Sequence, residues 1–415
     1  MLRWTPAELH THTFHSDGSQ SLQELAQAAR QAGIDVIALT DHNTQSGLMD
    51  RDGIEASTGL RIIAGMEWTT FYGHMVTIGL QQYVDWRQVG QGDIEKGIHL
   101  VHEAGGIAGI AHPFRIGSPI CTGCYWEYPI HDWSQVDYIE VWSTLMPFMK
   151  QDSQRAFSLW TELLNQGHRL AATSGRDWHR TLPDDAPAAI TYIGLDSIGE
   201  QKLEAVEQKQ DRDQNAATEQ RMHEQPQTNT PASIDPSEWV AAHDQAEQHA
   251  SIHRSDDHSY IEAIRSGRLS VTMGPLLDLY AVVHHYEATN KHEVTEGIYS
   301  HSLLPESDHS ACSIYQIGDV IHTGHQQLQL HIQLDRKIRH SHYELPSQKL
   351  RLVMMSDQGI LAETKLDSEE PWQEWIIAVP APTKWLRAEL YGYFHEVCGM
   401  LAFTNAIYTD GKNTE

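Results

Sequence analysis

Between Ala7 and Gly194 short apolar runs alternate with stretches of helical period, the pattern of an α/β architecture with largely parallel strands. Strands are expected at Ala7–Thr11, Asp35–Thr40, Leu60–Glu67, His74–Leu80, Ile107–Ala111, Val136–Trp142, Arg169–Thr173 and Ala189–Gly194. The run Asp35-Val-Ile-Ala-Leu-Thr40 is of the kind buried on both faces. Ser21-Leu-Gln-Glu24 is a capping-box pattern. It predicts a helix through Arg30, with Leu22, Leu25, Ala26 and Ala29 on one face and Gly33 just past its end. Further helices are expected over Asp93–Ala104, before Gly105-Gly106, and over Ser153–Asn165. Repetition of this unit fits a closed or nearly closed barrel better than an open sheet.

The pattern stops at Gly199. Through 199–256 Gln, Glu, Asp, Asn and His dominate and no apolar period survives, as in a disordered or weakly helical insertion. It resumes at 257–275 with a helix containing Tyr260, Ile261 and Ile264 and a strand at Leu269–Pro275, placed as the closing elements of a first domain over 1–198. After Leu276 the chain reads as β-structure: Gln327-Leu-Gln-Leu-His-Ile-Gln-Leu334 alternates with period two, and Lys349–Met354, Glu374–Val379 and Trp385–Tyr393 are further strands. Residues 276–415 are expected to form a small antiparallel β-sandwich-like domain.

The chain has 415 residues, with 29 Lys plus Arg against 56 Asp plus Glu, a formal net charge of −27. That balance disfavours a long nucleic acid as partner but leaves room for one small anion in a local pocket. Met1-Leu2-Arg3-Trp4 shows no apolar targeting segment, and no run approaches the roughly 20 apolar residues that span a bilayer, so a soluble cytoplasmic protein without a membrane partner is expected. Cys121, Cys124, Cys312 and Cys398 are too few for a disulfide scaffold, and reduced thiols are the expectation.

Histidine changes the picture. Each predicted strand of the first half delivers a ligand-type side chain at or just past its carboxyl end. His10 and His12 are two apart, so on a strand they share a side and can grip one ion together. Asp17 follows in the loop, Asp41 and His42 end the second strand, Glu67 ends the third, and His74 lies in the next hairpin. His112 precedes Pro113, and Ser174-Gly-Arg-Asp-Trp-His179 supplies Asp177 and His179. Carboxyl ends of strands gather at one mouth in such folds, which makes these groups candidates for a shared metal centre. In a chain with 27 histidines a single one is more often solvated or hydrogen-bonded, and His15, His99, His102, His131 and His168 are left in that class.

H-T-H with a downstream S-D-G, then A-L-T-D-H-N-T, G-M-E, A-H-P and G-R-D-W-H, in this order across Leu9 to His179, resembles the PHP domain, named after polymerase and histidinol phosphatase. G-M-E-W-T-T-F-Y-G-H-M, G-S-P-I-C-T-G-C-Y-W-E, E-V-W-S, T-S-G-R-D-W-H-R and I-R-S-G-R-L-S-V-T-M-G-P look like the carbaryl-hydrolase-like branch of PHP metallohydrolases, which also carries a C-terminal β-domain. The likeness covers most of the chain except 199–256. It implies a distorted (β/α)7 barrel with two or three divalent ions (Zn, Mn or Fe) at its open end. Carried over by residue, it implies one ion on His10, His12, Glu67 and Asp177. A second would be shared by Glu67 with His74 and His112, and a third held by Asp17, His42 and His179.

Such a cluster would let Glu67 and Asp177 serve a hydrolysis in which a metal-bridging hydroxide cleaves a small ester, foremost a phosphomonoester or phosphodiester. Asp41 and Asp177 are also candidates for orienting ligand imidazoles. Arg115 and Arg176 are the candidate phosphate readers, with Arg180 weaker, because a guanidinium fork matches phosphate oxygens. Trp126, with Tyr125, would form an apolar substrate wall beside Cys121-Thr-Gly-Cys124, read as a compact loop over the mouth rather than as a zinc or redox pair; Glu140 and Trp142 are candidates to line the pocket, with core packing an equal explanation for Trp142. A carboxylic or carbamate ester hydrolase, an exonuclease on short oligonucleotides, and a non-catalytic metal- or carbohydrate-binding module remain as alternatives.

Overall fold

The computed structural model describes residues 2–117, 123–182, 188–196, 257–284, 312–322, 327–338, 343–367, 372–379 and 382–410. The expected insertion at 199–256 and Cys121 lie outside them. The first half runs β1 (Leu2–Thr11), α1 (Leu22–Gln31), β2 (Val36–Leu39), α2 (Arg51–Thr58), β3 (Arg61–Thr70), β4 (Gly73–Ile78), α3 (Ile94–Glu103), β5 (Ile107–Ile110), β6 (Tyr138–Ser143), α4 (Gln151–Gln166), β7 (Ala171–Gly175) and β8 (Ile190–Asp196). After a helix over 257–266 come β9 (Leu269–Thr272), β10 (Leu276–His284), β11 (Cys312–Gln316), β12 (Val320–Ile321), β13 (Gln327–Asp335), β14 (Lys337–Ile338) and β15 (Tyr343–Glu344). The series ends with β16 (Lys349–Ser356), β17 (Gly359–Asp367), β18 (Trp372–Ala378), β19 (Trp385–Phe394), β20 (Val397–Thr404) and β21 (Ile407–Thr409). The chain divides into two compact units, Met1–Arg3 with Leu195–Tyr260 and Trp4–Gly194 with Ile261–Glu415; everything below concerns the second.

Local sequence dictates the first turn of α1. Ser21 Oγ accepts from the Glu24 amide at 3.2 Å while Glu24 Oε2 accepts from the Ser21 amide at 2.8 Å, a reciprocal capping box. Leu22, Leu25, Ala26 and Ala29 are buried, as their spacing predicts. The strands depart from a uniformly parallel sheet. β1, β2 and β3 pair in parallel, β4 is antiparallel to β3 and β5, and β5, β6 and β7 are parallel again. Between β3 and β4 stand only Phe71 and Tyr72, too short a link for the crossover that a parallel pair requires.

Past β7 the chain returns to its beginning. Trp178 donates its amide to His10 O and accepts from the His12 amide, each at 3.0 Å, so the residues that follow β7 lie against the carboxyl end of β1. The C-terminal strands pair antiparallel, as their alternation predicts, except for the short parallel pair β12 and β21, and many are built onto the same sheet: β9 pairs with β8 and with β20, and β20 leads to β19 and β16. A second sheet in the order β11-β10-β13-β18 shares a core with it, Leu277, Leu279 and Ala281 of β10 joining Leu350, Leu352 and Met354 of β16. Among the described residues no helix is long and apolar enough to cross a membrane.

Buried Asn405 fastens the terminal strand of the long sheet. Its Oδ1 accepts from the Ala172 amide at 2.7 Å, and its Nδ2 donates to Ala172 O at 2.9 Å and Leu269 O at 3.3 Å. Asn405→Ala strands both backbone groups of Ala172 in the core, and should lower stability by about 2–3 kcal/mol in denaturant unfolding; an unchanged midpoint would show that β7 does not need this clasp.

Candidate metal centre

Alternation along β1 points His10 and His12 to one side, while buried Thr11 between them points to the other and donates to Ala38 O at 2.7 Å. Both imidazoles are fully buried. They meet Glu67 of β3, itself fully buried, whose Oε2 lies 3.1 Å from His10 Nε2, 3.4 Å from His12 Nε2 and 2.9 Å from His42 Nδ1. Its other oxygen, Oε1, is 2.9 Å from His74 Nδ1 and 3.3 Å from His112 Nε2. One carboxylate therefore faces five imidazoles from β1, β4 and the segments after β2 and β5.

Asp177 adds a second carboxylate, its Oδ1 3.0 Å from His12 Nε2 and 3.4 Å from His10 Nε2. Asp17, more exposed, closes the outer side: Oδ1 is 2.9 Å from His179 Nε2 and 3.4 Å from His42 Nε2. The backbone bends to achieve this. His112 (φ 28°) and Asp177 (φ 56°) occupy the left-handed region that residues with a Cβ avoid, a strain held by the hydrogen bonds around them.

Three sets of donor atoms come within 4.8 Å of one another: His10, His12, Glu67 and Asp177; His12, Asp17, His42 and His179; and His42, Glu67 and His74. Eight of the nine expected ligands fall in these sets, with His12, His42 and Glu67 each shared between two of them. His112 stands at Glu67 outside those sets. A cation suits this arrangement. Among the described residues His10 Nε2, His12 Nδ1 and Nε2, Glu67 Oε2, His74 Nε2 and Asp177 Oδ1 are buried without a hydrogen bond of good geometry, although buried polar atoms are normally satisfied. The donors are imidazole nitrogens and carboxylate oxygens, which suit divalent zinc, manganese or iron.

Without an ion, the protons distribute unevenly. Burial opposes charge on His10, yet Glu67, Glu140 and Asp177 outweigh it and hold the imidazole well above its usual range; in His12 burial wins and the pKa falls. Burial likewise opposes ionisation of Glu67 and Asp177, but the facing imidazoles, with Arg115 beside Asp177, hold both carboxyls well below the usual range. His42 is pushed up to about 10, burial being overcome by Glu67 and Asp17.

Several neighbours differ from expectation. Asp41 does not orient a ligand. It accepts from the Thr13 amide and hydroxyl, each at 2.7 Å, and from Ser16 Oγ at 2.6 Å, so it shapes the loop that carries Asp17. Arg115 donates to Asp177 Oδ2 and Ser143 Oγ. The Arg176 guanidinium stacks 4.1 Å over the Trp178 ring and donates to Arg180 O at 3.3 Å, away from the open role expected of it. Trp126 packs half-buried beside Tyr128, with ring centres 5.1 Å apart. Of the two readings open for Trp142, core packing holds, against Phe403, whereas Glu140 accepts from His10 rather than facing a pocket. Cys124 is disulfide-bonded, where a reduced thiol was expected; Cys312 and Cys398 are free. The pairing of Glu140 with His10 was missed because nothing local in Tyr138-Ile-Glu-Val-Trp142 marks it; the one available signal was an acid on an otherwise apolar strand.

The PHP domain family matches residues 8–104. Uncharacterized protein MJ1587 of Methanocaldococcus jannaschii is 30% identical over 126 residues, 28% of this chain and 70% of the relative. The phosphoribosyl 1,2-cyclic phosphate 1,2-diphosphodiesterase of Eggerthella lenta is 30% identical over 64 residues, 15% of this chain and 24% of that enzyme. A solved two-domain protein from Bacteroides vulgatus, described as containing a predicted PHP-like metal-dependent phosphoesterase, aligns with 98% of this chain and 96% of its own at 12% identity and a TM-score of 0.45.

The sign of the His42 shift generates a prediction. Its folded pKa of about 10 exceeds the ordinary 6.5, so in metal-free protein the protonated ring stabilises the fold fully below pH 6.5, and that stability is lost as pH rises towards 10. Protein stripped with chelator should therefore melt at progressively lower temperature over this range. Added Mn²⁺ or Zn²⁺ should reverse the trend from about pH 6 to 8, because ligands bind metal deprotonated. Parallel pH profiles with and without metal would contradict the assignment.

Proposed function

We propose, from the premise that the chain belongs to the PHP domain family and is a metal-dependent hydrolase, that its centre holds two or three divalent ions and cleaves a small phosphoester. The ligands assigned are His10, His12, Asp17, His42, Glu67, His74, His112, Asp177 and His179. Zinc, manganese and iron all suit them. The observation that carries this reading is Glu67: fully buried, with each oxygen facing imidazoles on a different side, it is built to bridge two cations. The proposal takes the strand path β1 to β7, with Trp178 hydrogen-bonded back to β1, as a distorted (β/α)7 barrel over 1–198 closed by 257–275, and 276–415 as an appended β-domain.

Divalent ions held by these residues would supply Lewis-acid activation of a water and of the phosphoryl group. The chain does the rest. Glu67 and Asp177 provide the negative charge that concentrates the ions, and Asp177 also anchors Arg115. Two of the five N–H donors of that guanidinium reach Asp177 and Ser143, and the others suit phosphate oxygens. Arg115 is thus preferred over the stacked Arg176 as the phosphate reader. The buried surroundings of His10, His12 and Glu67 exclude bulk water from the inner face and strengthen every charge interaction there.

A second reading, an ester with an uncharged aryl leaving group, is favoured by the apolar side chains on the ligand-bearing loops. Phe14, Phe71 and Ile116 are 61%, 77% and 84% exposed.

A panel of chromogenic phosphomonoester, phosphodiester and carboxylic ester substrates, with a short oligonucleotide, tested with Mn²⁺ and Zn²⁺, separates the two. Asp177→Ala should lose bound metal and activity together. Arg115→Ala should lower kcat/KM on phosphoesters about 100-fold, close to 2.7 kcal/mol of transition-state binding, and change an aryl carboxylic ester by less than about three-fold. Full phosphoesterase activity in Arg115→Ala would remove that residue from the reading.

A further inference from the structure

We propose that Glu140 is the positioning residue of the centre: it locks the His10 imidazole so that Nε2 faces Glu67 and Asp177, and Gly175 is the clearance that admits it. This inference rests on the metal-binding reading above.

Glu140 stands on β6 and is 3% exposed. Its Oε2 lies 2.6 Å from His10 Nδ1, and its Oε1 has no hydrogen-bond partner among the described residues. A buried carboxylate with so little compensation is costly, and a lone brace could be made with an amide or hydroxyl. With Nδ1 carrying the proton towards Glu140, the lone pair of Nε2 is directed to the opposite side, 3.1 Å from Glu67 Oε2 and 3.4 Å from Asp177 Oδ1. The other imidazoles are held differently. His42 Nδ1 lies against the Thr69 hydroxyl and Glu67, and His179 Nδ1 faces the Asp177 carbonyl at 2.9 Å. Among the described residues His10 alone of the set turns its outer nitrogen to a carboxylate that is not itself in the centre. Charge at that point makes the ring a stronger donor as well as a fixed one.

Gly175, at the end of β7, supplies a second and independent observation. A Cβ there would stand 2.2 Å from Glu140 Oε2 and 2.7 Å from His10 Cβ, so any side chain would drive the pair apart. The glycine of Ser174-Gly-Arg-Asp177 is required by this close approach rather than by backbone conformation.

The test uses the full chain, stripped with chelator and titrated with Mn²⁺ or Zn²⁺ alone, with bound metal read by equilibrium dialysis and elemental analysis and melting followed with and without metal. Glu140→Gln keeps the shape and removes the charge. It should weaken one ion of the set about 10- to 100-fold and leave the others. The metal-free protein should melt no lower than wild type, whereas a mere brace would show a lower metal-free Tm and unchanged affinity. Gly175→Ala should reproduce the affinity loss, because its methyl meets both Glu140 Oε2 and His10 Cβ and so disturbs the same pair. Affinities of Glu140→Gln and Gly175→Ala both within about two-fold of wild type would overturn the assignment. Failure of the wild-type chain itself to bind either ion would overturn the metal reading first, before any variant is compared.

Discussion

Glu67 is the group on which the rest of the site depends. A carboxylate with no exposure would ordinarily be driven neutral, and here it is kept ionised by imidazoles on both of its oxygens. Those imidazoles come from separate elements, so the carboxylate is satisfied only when β1, β3, β4 and the segments after β2 and β5 all reach their places. The site is therefore coupled to the fold as a whole. In a buried, weakly screened setting each of these interactions is strong, and the loss of any one leaves its neighbours uncompensated.

Around this core the chain holds conformations that it would not adopt alone. His112 and Asp177 take positive φ, and each is pinned by contacts to the other side of the mouth. The His112 carbonyl accepts from the Arg115 amide at 2.9 Å, and Arg115 in turn reaches Asp177. Glu8, a buried residue of β1, accepts from the His10 and Arg176 amides at 3.0 and 2.8 Å, which ties the start of the site to its end; burial pushes its own pKa up to about 8. Asp41 does the same for the loop bearing Asp17. The geometry is thus set in large part by hydrogen bonds of Glu8, Asp41 and Arg115, while the candidate ligands keep unpaired atoms turned inward.

Much of the centre was legible because its signals are local. Two histidines at spacing two on a strand must share a side, and Ser21-Leu-Gln-Glu24 just before an apolar helical period is a local signal for a capped helix start. The run of ligand-type residues at successive strand ends was readable for the same reason, since strand ends of an α/β sheet collect at one face. The antiparallel β4 was half-legible: the two-residue link forbids a crossover, but the apolar runs look alike in either direction.

Pairings across the fold were not legible. Glu140 and His10 lie 130 residues apart, and only the registers of β6, β7 and β1 bring them to 2.6 Å. The diversion of Arg176 onto Trp178, the tie of Arg115 to Asp177 and the turn of Asp41 towards Thr13 depend on rotamers chosen by neighbours that sequence distance hides. So does the merging of the C-terminal strands into the first sheet through β9 and β20. By itself the sequence determined the candidate ligands and most of the elements that carry them, because periodicity, capping and residue chemistry act over a few positions. Only tertiary structure decided which ligands share an ion's place, which carboxylate aims His10 and where each arginine points, because these follow from strand register and from the balance of burial against charge.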